Sequence, residues 1–182
     1  MKSFYKRFII IGLWMVIGIF SLRCAISKPT GLYGIFSCTG ESVVVALVLM
    51  GIYERYLWRF APFRQVPCIE GRYLGTIEYA WNNESKEKQV DVVITQSFLS
   101  VNVKVTTSEV TSNVVVSRLI EENGEYVLYY TYITNPRSKV SKGNPMQYGT
   151  CRLVINSKSE LQGKYWTSRQ TIGDIMLNKY DG

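Results

Sequence analysis

Two long apolar runs occupy the N-terminal part of the chain. The first, FIIIGLWMVIGIFSL from Phe8 to Leu22, contains no charged residue, and snorkelling by Arg23 extends the apolar span to about Ile26. As a helix, the extended span is roughly 28 Å long, close to the roughly 30 Å thickness of a bilayer core. The second run, Leu32 to Tyr53, is interrupted only by Glu41. This pattern predicts two transmembrane α-helices.

The link SKPTG between the runs predicts a tight hairpin, because Pro29 and Gly31 break helices. A cleaved signal peptide is the alternative for the first run, since basic residues precede it. Arg23 argues against cleavage before Cys24, because a lipoprotein cleavage box needs a small residue there. Lys and Arg are more frequent in the N-terminal tail and after the second run than in the hairpin. We therefore expect a multi-pass membrane protein with both termini in the cytoplasm.

Residues 53–64, YERYLWRFAPFR, combine aromatic and arginine side chains, which is typical of a collar at the membrane interface; a solvated linker is the alternative. Glu41 also has two interpretations. It lines a polar seam between protomers, or the span starts near Ser42 and Glu41 lies at the outer interface. Similarly, Cys24 and Cys38 either form a disulfide in an oxidising compartment or remain small buried thiols.

Residues 65–182 show a different pattern, in which short β-branched and aromatic segments alternate with turn residues. In VNVKV, for example, apolar and polar side chains alternate with the period of a strand. We predict an all-β domain with eight strands: Gly71–Trp81, Gln89–Gln96, Ser100–Thr107, Ser112–Ile120, Tyr126–Thr134, Tyr148–Asn156, Leu161–Arg169 and Thr171–Tyr180.

The connections NNESKEK, ENGE and NSKSE are short and polar, which favours a meander. About eight such strands close into a compact, mostly antiparallel barrel of the lipocalin or streptavidin type. An open sandwich built from the same strands is the alternative. The chain therefore divides into a two-helix membrane hairpin with its collar, residues 1–64, and a cytosolic β-barrel, residues 65–182, whose interior holds either side chains or one small ligand.

The amino-acid composition excludes several classes of function. The chain has no histidine, which excludes a Ser-His-Asp or Cys-His nucleophile and any metal site that needs imidazole. The four cysteines show no CxxC spacing, and there is no phosphate loop or paired-carboxylate motif. Most of the net charge of +7 surrounds the apolar runs, so a surface for duplex DNA or RNA has little support. We expect neither an enzyme nor a metal or cofactor site.

Strand parity selects candidate ligand-binding side chains. In LQGKYWTSR the alternate residues place Tyr165, Thr167 and Arg169 on one face, and Thr171 continues that face in the next strand. A guanidinium beside these hydroxyls suits a phosphate; the alternative is a surface arginine at a tight turn. The other candidates are tyrosines on inward faces, which either stack on nucleobases or fill the barrel, namely Tyr73, Tyr130 and Tyr132.

The connection from Pro136 to Gln147 is longer than the others and carries Arg137, Lys139 and Lys142. Long loops on a rigid scaffold often act as lids or contact partners, although a solvated loop without a function is the simpler interpretation.

Taken together, the order of these segments resembles a known family: the two-transmembrane, β-strand-rich effectors of bacterial cyclic-oligonucleotide anti-phage signalling, associated with cGAS-like nucleotidyltransferases (CD-NTases). The resemblance covers nearly the whole chain. It is carried by GRYLGTIEYAW, ITQSFLSVNVKVTTSEVTS, LYYTYITNP, YGTCRLVI and LQGKYWTSRQTIGDIML behind the membrane hairpin.

The resemblance implies a barrel that binds a cyclic dinucleotide made by a cognate nucleotidyltransferase during infection. Binding then promotes homo-oligomerisation of the helices and disruption of the inner membrane, which arrests or kills the host. We hypothesise that this assembly crowds the helices around Glu41. The residues that match the family's last hairpin and its hydroxyl-rich third strand are Gly163, Tyr165, Arg169, Thr171, Gly173, Thr106, Thr107 and Ser108. Tyr148 stands where the family often has histidine.

Two other classes of function compete with this one. A membrane-anchored, lipocalin-like carrier of a small hydrophobic ligand predicts a mainly apolar interior and an outward-facing domain. A passive scaffold would recruit proteins through an exposed strand edge.

Overall fold

A computed structural model describes residues 2–60, 66–81 and 84–180. The chain separates into two compact units. The first comprises Met1–Gln65 together with Ser97–Leu99, and the second comprises Val66–Gln96 and Ser100–Gly182.

The first unit contains two long helices, α1 (Lys2–Ser27) and α2 (Gly31–Arg55), followed by a single 3-10 turn at Leu57–Arg59. Their apolar segments, Phe8–Ser27 and Gly31–Arg55, have mean hydropathies of 2.3 and 2.0 and are long enough to cross a membrane. The two predicted N-terminal helices are therefore confirmed. Positive φ angles at Lys28 and Gly31 produce the sharp reversal between them.

One face of α2 is buried and carries mainly small side chains at every fourth position: Cys38, Ser42, Ala46 and Met50. This spacing forms a stripe along a helix. A β carbon at Gly12 of α1 would lie 3.4 Å from the terminal methyl of Met50, so the backbone of α1 is close to the stripe at this point.

Two charged residues of the apolar hairpin, Arg23 and Glu41, pair with each other. The Arg23 guanidinium donates to the Glu41 carboxylate, and the Ser37 hydroxyl donates to the same carboxylate at 3.4 Å. Glu41 thus has a partner within its own hairpin. Cys24 and Cys38, both within the described residues, are free thiols.

The collar aromatics divide into two groups within the first unit. Trp58 is completely buried and Tyr53 nearly so, and both rings lie near Phe98, with centroid distances of 6.5 and 5.4 Å. Tyr56 and Phe60 are exposed. The remainder of the predicted collar, residues 61–64, lies outside the described residues.

The second unit is a closed barrel in which each strand pairs antiparallel with its neighbours in sequence and β8 closes on β1. This confirms the predicted meander barrel over the open sandwich. The strands are β1 (Gly71–Trp81), β2 (Glu84–Gln96), β3 (Val101–Thr106), β4 (Val110–Glu122), β5 (Glu125–Pro136), β6 (Tyr148–Ile155), β7 (Glu160–Thr167) and β8 (Ile172–Lys179).

Two predicted strand limits are wrong in ways that affect the site. The polar sequence at 84–88 was expected to be a connection but begins β2, and the turn before it, Asn82 and Asn83, lies outside the described residues. At the other limit, β7 ends at Thr167, so Arg169 lies in the following turn rather than in the strand. The first error arose because polar composition concealed the strand parity of residues 84–88, and the second arose because parity was extended past the end of β7 into the turn.

The barrel interior is packed with side chains at one end. This apolar core includes Ile69, Val92, Ile94, Leu128, Leu153, Leu161 and Leu177, all at most 1% exposed. Close strand approach at this end needs small residues: a β carbon on Gly163 would overlap the carbonyl oxygen of Arg152 on β6. Asn123 and Gly124, both with positive φ, form the β4–β5 hairpin turn, as the Asn-Gly pair predicts. The opposite end of the barrel is different.

Candidate ligand-binding cavity

A cavity of about 350 Å³ occupies the end of the barrel where β1, β3, β5 and β7 terminate. This volume is within the range of small-molecule sites. It lies at the opposite end from Gly71, where the chain enters β1. Inward-facing positions on every strand except β6, together with three connections, supply its wall.

Three tyrosines, Tyr130 and Tyr132 on β5 and Tyr165 on β7, form the inner part of the cavity wall and are at least nine-tenths buried. The rings of Tyr130 and Tyr132 lie 5.8 Å apart, tilted by 44°. Burial raises the pKa of each phenol above its usual value, with smaller contributions from neighbouring groups. The phenols therefore remain neutral hydroxyls at physiological pH and place no negative charge in the path of an anion.

Glycine on the neighbouring strand makes room for two of these rings. Tyr132 faces Gly149 across the β5–β6 ladder, and Tyr165 faces Gly173 across the β7–β8 ladder. A β carbon at either glycine would overlap the facing tyrosine ring. Beneath them, burial raises the pKa of the Cys151 thiol to about 12, so this group also stays neutral.

Cationic side chains lie at the outer part of the cavity wall. Lys86 and Lys88 are on β2, on the same face as the core residues Val90 and Val92, because side chains at every second position share a face. The Lys88 ammonium lies 2.8 Å from the carboxylate of Glu109, in the β3–β4 turn. The outer wall therefore carries two lysines, one of them paired with Glu109, and neutral hydroxyls lie deeper in the cavity.

Arg169 lies on a tight turn of the wall, between β7 and β8. Thr167 N donates to the carbonyl of Thr171 at 3.0 Å, and Gln170 adopts a positive φ of 61°. The exposed Arg169 side chain donates to the carbonyl of Gly143 at 3.3 Å. The guanidinium is thereby held against the long loop at the rim of the cavity.

The long connection between β5 and β6 forms part of the cavity wall through Gly143, Asn144 and Gln147. It is anchored rather than loose: Thr134 N donates to the Gln147 carbonyl, and Gln147 N donates to the Thr134 hydroxyl, both at 2.9 Å. Its basic residues take no part in the wall. They are exposed, namely Arg137, Lys139 and Lys142.

The structure brings all but one of the predicted site residues together in this cavity. Those that line it are Thr107, Tyr130, Tyr132, Tyr165, Thr167, Arg169 and Thr171. Tyr73 faces inward as predicted but lies at the packed end, where its hydroxyl donates to the carbonyl of Ile69 at 2.9 Å. Tyr73 therefore belongs to the packed core and does not line the candidate cavity.

Other residues matched to the family pattern do not line the cavity. Thr106 and Ser108 flank the inward-facing Thr107 and are absent from the wall, as is Gly163 at the packed end. Tyr148, in the position where histidine is frequent in the family, is 56% exposed on the outer face of β6.

Sequence reasoning missed the residues that give the cavity its charge pattern, Lys86, Lys88 and Glu109. It also missed the polar wall residues Ser112, Thr134, Asn144 and Gln147. A signal was present for the two lysines, because the inward parity of Val90 and Val92 extends back to both of them. No comparable signal marks Glu109, which reaches the cavity from a turn.

A closed antiparallel barrel with a cavity at one end, lined by aromatic, hydroxyl and cationic side chains, is typical of small-ligand-binding β-barrels. Comparison with known proteins specifies the family. The model of the Cap15 cyclic dinucleotide receptor domain matches residues 64–179. CD-NTase-associated protein 15 of Staphylococcus schleiferi is 38% identical over 169 residues, covering 91% of this chain and 92% of that protein. The chain belongs to the Cap15 cyclic dinucleotide receptor family, and the resemblance inferred from the sequence is confirmed.

The solved structure of a redesigned β-barrel is also similar, with a TM-score of 0.47 and 12% sequence identity. The similarity covers 62% of this chain and 92% of the designed one. At these values it bears on neither family nor function.

Proposed function

We propose that this protein is a membrane effector of bacterial anti-phage defence whose barrel cavity binds a cyclic dinucleotide. One observation carries the proposal: neutral buried tyrosines and a cationic rim line one cavity. A cyclic dinucleotide presents both flat bases and phosphates. Aromatic rings suit the bases, and Arg169 with the β2 lysines suits the phosphates.

The same cavity disfavours a carrier of hydrophobic ligands. Such a carrier needs an apolar interior, whereas this wall includes hydroxyl, amide, ammonium and guanidinium groups. The sequence contains no histidine, which removes histidine-based nucleophilic and general-base mechanisms, and we propose a receptor rather than an enzyme.

We further propose that ligand binding drives assembly of the transmembrane helices and disruption of the inner membrane. The two apolar helices are long enough to span it. Ligand shifts the assembly equilibrium only if the oligomer binds it more tightly than the monomer does. A hundredfold difference per site would shift the equilibrium by about 2.7 kcal/mol per protomer. The partner enzyme is a nucleotidyltransferase that makes the messenger, and the resulting membrane damage arrests the infected cell.

Direct titration tests the ligand assignment. The full-length chain in lipid nanodiscs is titrated calorimetrically with cyclic di-AMP, cyclic di-GMP and cyclic GMP–AMP. We expect at least one to bind, and Arg169→Gln to weaken that binding about tenfold or more through loss of a charged phosphate contact. Arg137→Gln is the matched control, because Arg137 is exposed and outside the cavity wall. Equal losses in both variants, or no binding by any of the three, would contradict the proposal.

A further inference from the structure

The cavity carries one acidic side chain among its cations. Glu109 lines the cavity, and its carboxylate oxygen Oε2 lies 2.8 Å from the Lys88 ammonium. The side chains are 25% exposed for Lys88 and 41% for Glu109, so water only partly screens the pair. A carboxylate in the path of an anionic ligand needs a physical explanation.

We propose that Glu109 is a built-in competitor for the ligand's phosphate: it occupies Lys88 in the empty receptor, and an entering phosphate must displace it. This inference rests on the proposed function for the identity of the ligand. The phosphate replaces the Glu109 carboxylate on Lys88, so the free energy lost with the first ion pair offsets the free energy gained with the second.

The backbone of the turn holds Glu109 in place while leaving its side chain able to move. Glu109 N donates to the Thr107 hydroxyl at 3.3 Å, and Val110 N donates to the same oxygen at 3.0 Å. On the other side, Arg137 N donates to the Glu109 carbonyl at 2.9 Å. The main chain is therefore fixed by neighbouring residues, whereas the bond from Lys88 holds the carboxylate in the cavity.

The consequence is an affinity threshold: every ligand that uses Lys88 needs additional contacts to bind, and the competition does not distinguish one phosphate from another. Displacement weakens binding of every ligand that uses Lys88 by about the same factor. Small anions such as inorganic phosphate and nucleoside monophosphates make few other contacts, so this factor keeps them from occupying the receptor. A ligand with a second phosphate and two bases has further contacts with which to remain bound.

Glu109→Gln removes the competing charge and keeps the shape of the side chain. We titrate the full-length protein in nanodiscs at low salt with inorganic phosphate, AMP and the three cyclic dinucleotides. The expected result is about tenfold tighter binding of every probe, so that inorganic phosphate and AMP also bind at about tenfold lower concentration than in the wild type, since charged pairs in partly desolvated sites exceed exposed ones in strength. In a Lys88→Gln background the same substitution should change affinity less than about twofold.

Glu87→Gln is the matched control, because Glu87 is exposed and its side chain points to the opposite face of β2 from Lys88. It should leave the affinity for every probe within about twofold of wild type. Unchanged affinity in Glu109→Gln would overturn the proposal. Weaker binding of a cyclic dinucleotide would also overturn it, because Glu109 would then contact the ligand directly.

The two proposals fail in different ways. If the wild type binds no cyclic dinucleotide, the proposed function fails, while inorganic phosphate and AMP still report whether Glu109 competes. If a cyclic dinucleotide binds and Glu109→Gln leaves every affinity unchanged, the proposed competition by Glu109 fails and the proposed function stands.

Discussion

The phenol ring of Tyr132 lies over Gly149 of the neighbouring strand, where a β carbon would overlap the ring. This contact connects the strand ladder to the shape of the cavity, because Tyr132 forms part of the cavity wall. Glycine is required at position 149 by the position of the ring and not by the local backbone angle.

Gly149→Ala is therefore expected to displace the Tyr132 ring and to weaken cyclic dinucleotide binding by about tenfold, while the barrel still folds. The shifted ring should lower the free energy of unfolding by about 1–3 kcal/mol, which is the usual effect of overpacking in a protein core. Calorimetric titration measures affinity, and urea unfolding measures stability. Gly149→Ala combined with Tyr132→Leu should recover the lost stability, since the smaller side chain relieves the overlap. Additive losses in the double variant would show that the two residues do not interact.

The tyrosines and the barrel itself were predictable because period-two alternation is strong in these strands. Val101, Val103 and Val105, for example, face inward as predicted. Tyr73 shows the limit of this reasoning: parity gives the face of a strand but not the end of the barrel, which depends on register. Glu109 was not predictable, because it reaches the cavity from a turn that parity does not describe.

Tyr73 provides a test of burial in the packed end. Burial raises its pKa to about 12, above the usual 10.0, so folded and unfolded chains both keep the proton below pH 10. Above pH 10 the unfolded chain ionises first, and the free energy of unfolding falls as pH rises towards 12. Tyr73→Phe should reduce this fall by up to about 1.4 kcal/mol per pH unit.

Urea titrations of the full chain in detergent between pH 9 and pH 11 measure the effect. Tyr148→Phe, at an exposed position, is the matched control. Tyr73→Phe should also lose about 1 kcal/mol at pH 8, because the Ile69 carbonyl loses its donor. Identical pH slopes in the wild type and Tyr73→Phe would contradict the assignment of Tyr73 to the core.

The ion pair between Arg23 and Glu41 leads to a prediction for the proposed membrane hairpin. Removing one partner leaves an unpaired charge in an apolar segment, at a cost of about 2.5–3.5 kcal/mol. Arg23→Leu and Glu41→Leu should each lower the amount of protein in the membrane fraction, and the double substitution should restore it. A double variant that is less abundant than either single one would contradict the pairing.

Topology can be tested with Cys68, because Cys151 is fully buried and a poor target for thiol reagents. With Cys24→Ser and Cys38→Ser in place, a membrane-impermeant maleimide should label Cys68 only after the inner membrane is opened. This result is expected for a cytoplasmic barrel. Labelling of Cys68 in cells with only the outer membrane permeabilised would place the domain in the periplasm.

Leakage of a fluorescent dye from liposomes that contain the full-length protein tests the central claim most directly. The account predicts leakage when the cyclic dinucleotide that the protein binds is added, and little leakage without it. For Arg169→Gln, but not for Arg137→Gln, the same leakage should need about a tenfold higher ligand concentration. Leakage that is independent of ligand, or none at saturating ligand, would contradict it.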